Sequence, residues 1–140
     1  MIITDQKILR QTSVKIEDSN KEFLALIIDL LEKELKNSKI PGVGLSAIQI
    51  GIPLQVAIIR TRDLKLDLYN TEIIKMNGPF IFNNEGCLSI PNLFKDTTRF
   101  RIIQIKNGDG SVITLEGYNS VVVQHEIDHF SGILFIDRTI

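Results

Sequence analysis

The chain has 140 residues, a formal net charge of −1, 44% hydrophobic residues and 24% charged residues. That length fits one compact domain over residues 1–140, and the composition is globular with enough apolar material for a core. The near-neutral charge gives no reason to expect nucleic acid or an anionic membrane as a partner, and no apolar run approaches the ~18 residues of a membrane span.

The first residues, Met1-Ile2-Ile3-Thr4-Asp5, carry an acid where a secretory signal would carry a basic region, so a cytoplasmic protein is expected. Residues 17–37 read as an amphipathic helix. Ser19 with Glu22 three places on has the spacing of a capping box. Phe23, Leu26, Ile27, Leu30, Leu31 and Leu35 recur at helical spacing, and Asp29, Glu32, Lys33 and Lys36 fill a solvated face. The stretch Gly42-Val43-Gly44-Leu45-Ser46-Ala47-Ile48-Gln49 reads by itself as a glycine-rich turn feeding a buried strand over residues 54–60. It is not a phosphate loop, because no Lys-Ser/Thr pair follows it.

Residues 99–106 and 111–116 read as the strands of a hairpin, with Asn107-Gly108-Asp109-Gly110 as the turn between them. Residues 118–131 contain no Gly or Pro and read as a second helix, although Val121, Val122 and Val123 favour a strand by propensity. The sum is an α+β fold: small mixed or antiparallel sheets packed around a central helix, with a further helix near the N-terminus.

That central helix carries His125-Glu126-Ile127-Asp128-His129, and these are the only two histidines of the chain. Side chains four apart on a helix share a face, so both imidazoles reach one ion. Glu126 lies on the adjoining surface, where its carboxylate reaches the water an ion activates rather than the ion itself. A catalytic site needs a third protein ligand and an open position. The third comes from a distant acid or from Cys87, the one cysteine, which has no partner for a disulfide within the chain. A thiolate with two imidazoles suits Fe(II), Zn(II), Co(II) or Ni(II) and suits Mg(II) or Ca(II) poorly.

Three segments in order, Gly42 to Gln49, Glu85-Gly86-Cys87-Leu88-Ser89 and His125 to His129, resemble the peptide deformylase family. That family carries a G-x-G-x-[AS]-A-x-Q motif, then E-G-C-x-S, then H-E-x-D-H. The likeness extends to Ile8-Leu9-Arg10, Ile50-Gly51, Ile90-Pro91, Arg99, Gln124 and Leu134-Phe135 with Asp137-Arg138, and so covers almost the whole chain. Met76 to Ile81 is the nearest match to the family's I-N-P-x-I segment, closer to the cysteine motif than usual. Ser46 stands where alanine is commoner, which reads as a small change. The chain stops at Ile140 without the further C-terminal helix of many bacterial members, so it is similar to compact forms carried by bacteriophages.

The resemblance implies removal of the formyl group from N-formylmethionyl nascent peptides, with association with the ribosome as a further expectation. It implies Cys87, His125 and His129 as ligands of one divalent ion, Fe(II) first, replaceable by Zn(II), Ni(II) or Co(II). Glu126 is then the proton carrier, and Gln49 with the backbone N–H of Leu88 stabilises the oxyanion. Val43, Gly44, Glu85, Gly86, Tyr118, Val121 and Val122 are the expected substrate-binding residues, and Asp128 is a salt-bridging residue with Arg99 and Arg138 as candidate partners. Two rivals share the helix: a zinc peptidase, which would not depend on Cys87, and a protein with a structural metal, which would need a closed set of four ligands.

Overall fold

The computed structural model describes residues 1–140. In order, the elements are α1 (Gln6–Leu9), α2 (Lys21–Asn37), β1 (Gly44–Ser46), a 3-10 turn (Ala47–Ile50), β2 (Val56–Arg60), β3 (Lys65–Tyr69), β4 (Glu72–Cys87), β5 (Ile90–Lys106), β6 (Val112–Glu116), α3 (Gly117–Phe130) and a second 3-10 turn (Phe135–Arg138). The strands make two antiparallel three-stranded sheets, ordered β1-β2-β3 and β4-β5-β6. The α+β architecture is therefore as expected. No helix is long and apolar enough to cross a membrane.

Strand β2 joins the two halves of the core, and its unbroken apolar run is what burial on both faces requires. Successive side chains point to opposite faces. Val56 and Ile58 belong to the cluster around Ile27 and Leu31 of α2. Ala57 and Ile59 belong to the cluster built with Val122, Val123 and Phe130 of α3 and Ile103 and Ile105 of β5. Helix α3 is enclosed, with every residue from Ser120 to Glu126 buried, as are His129 and Phe130. Burying each valine contributes roughly 1.5–3 kcal/mol, which outweighs the few tenths by which Val disfavours a helix.

A glutamine fixes α3 on β5. The Gln124 Oε1 accepts the Phe100 N–H at 3.1 Å, and its Nε2 donates to the Phe100 carbonyl at 2.8 Å. A side-chain amide thus pairs a strand residue as another strand would, and this sets the rotation of the helix that carries the histidines.

Several sequence expectations are corrected. Helix α2 starts at Lys21 with Asn20 as its N-cap, and no side chain caps it. Ser19 is one residue too early for its hydroxyl to reach the N3 amide, so the expected capping box with Glu22 does not form. Of the apolar stripe on α2, Ile27 and Leu31 are buried, whereas Phe23, Leu26 and Leu30 are exposed. The helix rests on the narrow β1–β2 edge, which covers only part of the stripe. The strand expected from residue 54 begins at Val56, and residues 99–106 are the second half of the longer β5. Its partner β4 escaped the sequence reading. Ile74, Met76 and Ile81 on β4 are exposed, so no apolar/polar alternation marks it. The two strands close in a two-residue turn, Leu88-Ser89, with Cys87 paired to Ile90.

Candidate metal centre and active site

On α3 the rings of His125 and His129 lie 5.0 Å apart between centroids, as i,i+4 spacing dictates. Cys87, the last residue of β4, meets them from the other sheet, with its Sγ 3.7 Å from His129 Nε2. One ligand atom from each of the three residues lies within 4.8 Å of the other two. Ligand atoms about 2.0–2.3 Å from one ion stand roughly 3.4–3.8 Å apart in a tetrahedron, and the 3.7 Å between Cys87 Sγ and His129 Nε2 falls in that range. A sulfur and two imidazoles form a donor set for a borderline-soft ion. His129 is 1% exposed, and its Nδ1 is buried without a partner.

Behind the ligands runs a chain of charge. His125 Nδ1 pairs with Glu85 Oε2 at 2.7 Å, which leaves Nε2 for an ion. Glu85 Oε1 accepts from Thr97 Oγ1 at 2.7 Å and from Arg99 Nε at 2.9 Å. Arg99 also donates to Asp128 Oδ2 at 2.7 Å, and Arg138 donates to Asp128 Oδ1 at 3.0 Å. Asp128 therefore has both expected partners and lies outside the cluster that could hold an ion. Phe135, from the second 3-10 turn, stacks on His125 with centroids 6.2 Å apart.

Burial alone would raise the pKa of Glu85, but hydrogen bonds and charge from His125 and Arg99 pull it down to about 2. Burial likewise opposes the imidazolium of His125, yet the neighbouring Cys87, Glu85 and Glu126 side chains hold its pKa well above the ordinary value. His129 is pushed well below, first by burial and then by His125 and Arg99. An ion bound by both imidazoles would need both of them neutral.

A cavity of about 270 Å³ opens beside the ligands. Val43, Gly44, Tyr118, Val121 and Val122 all line it, with Gln49, Cys87, Leu88, His125 and Glu126. Glu85 and Gly86 also border it, but both Glu85 oxygens are committed to Thr97, Arg99 and His125. Glu85 thus holds the His125 ring while bordering the cavity. Gly86 lies under the Phe94 ring, where a Cβ would come within 2.7 Å. Ile40, Phe82, Ile90 and Phe94 also line the wall and were missed. They come from the α2–β1 connection and from the β4–β5 hairpin, whose pairing leaves no local mark in the sequence.

Glu126 is buried, which pushes its carboxyl pKa up, opposed by His125 and by the Ser46 hydroxyl. Its Oε1 accepts from Ser46 Oγ at 3.0 Å. Gln49 accepts the Ser46 backbone N–H at 2.9 Å. The Gln49 Nε2 donates to Ser89 Oγ at 3.0 Å and lies 3.5 Å from Cys87 Sγ. The N–H of Leu88, in the turn after Cys87, takes part in none of the turn or loop hydrogen bonds.

A His-Glu-x-x-His helix, a cysteine from a second element beside its histidines and an adjoining cavity with a buried carboxylate form an arrangement suited to a metal-dependent hydrolase. The family described as Polypeptide deformylase matches residues 1–140. The chain is 37% identical over 148 residues to the peptide deformylase of Aquifex aeolicus, covering 99% of this chain and 85% of that one. It is 38% identical over 150 residues to that of Brachyspira hyodysenteriae, covering 99% and 79%. The peptide deformylase structure from Thermotoga maritima superposes with a TM-score of 0.85 at 29% identity, covering 100% of this chain and 97% of that chain. A probable peptide deformylase from synechococcus phage S-SSM7 does so with a TM-score of 0.84 at 32% identity, covering 99% and 98%. The chain belongs to the peptide deformylase family, hydrolases that remove the formyl group from the N-terminal N-formylmethionine of nascent polypeptides.

Proposed function

We propose that Cys87, His125 and His129 hold one divalent ion, Fe(II) in the working enzyme, and that Glu126 carries the proton of deformylation. The observation that supports this reading most is Glu126 itself. It is a buried carboxylate on the ligand helix, lining the cavity, with one oxygen bonded to Ser46 and the other in no hydrogen bond. The ion, when bound, lowers the pKa of water toward neutrality and polarises the formyl carbonyl.

The remaining steps fall to the chain. Glu126 takes a proton from the attacking water and later returns it to the departing amine, so formate and a free methionyl N-terminus leave. The tetrahedral oxyanion accepts from the Leu88 N–H and from the Gln49 amide, whose long contact to Cys87 Sγ is the weaker of its two bonds and the one to be exchanged. Val43, Val121, Val122 and Tyr118 receive the methionine side chain, and Gly44 offers its backbone to the peptide. Glu85 holds His125 in the tautomer that ligates.

Anaerobic purification followed by metal analysis and a formate-release assay on formyl-Met-Ala-Ser tests the reading. Iron at about one per chain with turnover is expected. Substituting Cys87→Ser should lose both. Turnover that survives Cys87→Ser with metal retained would remove Cys87 from the required ligand set. Action on nascent chains supports a cytoplasmic location and association with the ribosome, which co-sedimentation with ribosomes carrying formylated chains checks.

A further inference from the structure

The Ser46 hydroxyl touches the proposed proton carrier. Ser46 is 1% exposed, at the junction of β1 and the first 3-10 turn. Its Oγ is 3.0 Å from Glu126 Oε1 and 3.1 Å from the Glu126 main-chain carbonyl oxygen. Eighty residues separate the two in sequence. The single hydroxyl proton lies between two acceptors of one residue, so it ties the carboxylate to the backbone position of its own helix turn.

The second oxygen is constrained differently. Oε2 makes no hydrogen bond, and it lies above Gly44, where a Cβ would approach to 2.7 Å. The two oxygens of Glu126 therefore have unequal surroundings: one anchored, one resting on a bare backbone beside the cavity. A Glu side chain has three rotatable bonds, and fixing it before reaction removes an entropic cost from the proton transfer. The backbone N–H of Ser46 meanwhile holds Gln49 through Oε1 at 2.9 Å. Removing only the hydroxyl leaves that bond intact.

We propose that Ser46 is a positioning residue for the reaction. Its hydroxyl anchors Oε1 of Glu126 and so reserves Oε2 for the proton. The inference rests on Glu126 as proton carrier, and the variants below separate the two ideas.

The experiment compares iron-loaded wild type, Ser46→Ala, Glu126→Ala and the double variant on formyl-Met-Ala-Ser. Ser46→Ala should lower kcat about three- to tenfold, the effect of one lost hydrogen bond of ordinary strength, with KM within about twofold. Affinity for the metal, read by competition with a chelator, should not change. In the Glu126→Ala background, adding Ser46→Ala should leave the residual rate within about twofold, because the serine acts only through the lost carboxylate. A crystal structure of Ser46→Ala should show the Glu126 carboxylate in more than one rotamer.

A wild-type kcat in Ser46→Ala overturns the proposal, as does a further fall in the double variant or a weakened metal site, which would mark a general packing role. Near-normal turnover in Glu126→Ala overturns the proton-carrier reading itself.

Discussion

The carboxylate of Glu126 occupies the space that a side chain at Gly44 would fill: a Cβ there would stand 2.7 Å from Oε2 and 3.2 Å from Cδ. Gly44 is required for room. The obstructing atom is the end of a flexible side chain, so Gly44→Ala should fold with a stability change within about 1 kcal/mol. The carboxylate, however, has to move. We expect kcat to fall about 10–100-fold with metal content unchanged, as a displacement near 1 Å commonly costs. Steady-state kinetics beside thermal unfolding of the same preparation checks it.

Glu126 should be a burden on the fold. Burial raises its pKa above the ordinary 4.5 in the folded state. A carboxyl whose folded pKa is raised costs stability once pH climbs above its unfolded pKa, and the full penalty stands above the folded pKa. At pH 7 the metal-free Glu126→Gln variant is therefore expected to be more stable than wild type by about 0.5–2 kcal/mol, while turnover is lost. Urea unfolding at pH 7 and at pH 4 measures this. The gain should shrink at the lower pH, and a variant less stable at pH 7 would contradict it.

Glu85 should behave in the opposite sense. Its folded pKa is depressed to about 2 from 4.5. It therefore contributes stability above pH 4.5, and that contribution is lost as pH falls from 4.5 toward 2. At 1.36 kcal/mol per pH unit the contribution is on the order of 3 kcal/mol. Metal-free Glu85→Gln should be less stable at pH 7 by that order, with the gap closing below pH 4.5. Since Glu85 also holds Nδ1 of His125, the variant should bind metal about 10–100-fold more weakly.

Gly132 ends α3 in the left-handed region, with φ +73°, and a Cβ there would meet the main-chain oxygen of Arg10 at 2.3 Å. Backbone cannot step aside as a side-chain tip can. Gly132→Ala should lower unfolding free energy by about 2 kcal/mol or more, through strain at positive φ and the clash. Rate per folded, metal-loaded molecule should stay near wild type. Denaturant unfolding paired with active-site titration separates the two effects.

Local chemistry made the helix and its ligands legible. The spacing of His125 and His129 fixes them on one helical face whatever the rest of the chain does. The Asn107–Gly110 turn and the apolar run of β2 are likewise short-range signals, and the β5–β6 hairpin and the doubly buried strand lie where they predict. Donor chemistry left Cys87 and a distant acid as candidates for the third ligand, and only the resemblance chose between them.

Tertiary structure decided the rest. Strand β4 has no periodic pattern because much of it faces water on both sides, and only pairing with β5 defines it. The capping box failed for want of one residue of register. The Glu85–Arg99–Asp128–Arg138 chain and the Ser46 contact join groups from separate elements, across up to eighty residues. A hydroxyl read in sequence as a small change is, in space, the hydrogen-bond donor to the Glu126 side chain. The sequence by itself determined that His125, Glu126 and His129 sit together on one helix, because helical spacing is a local property of the backbone. Which neighbours aim and charge those groups was settled only when two sheets closed around α3, since hydrogen bonds act over about 3 Å of space regardless of distance along the chain.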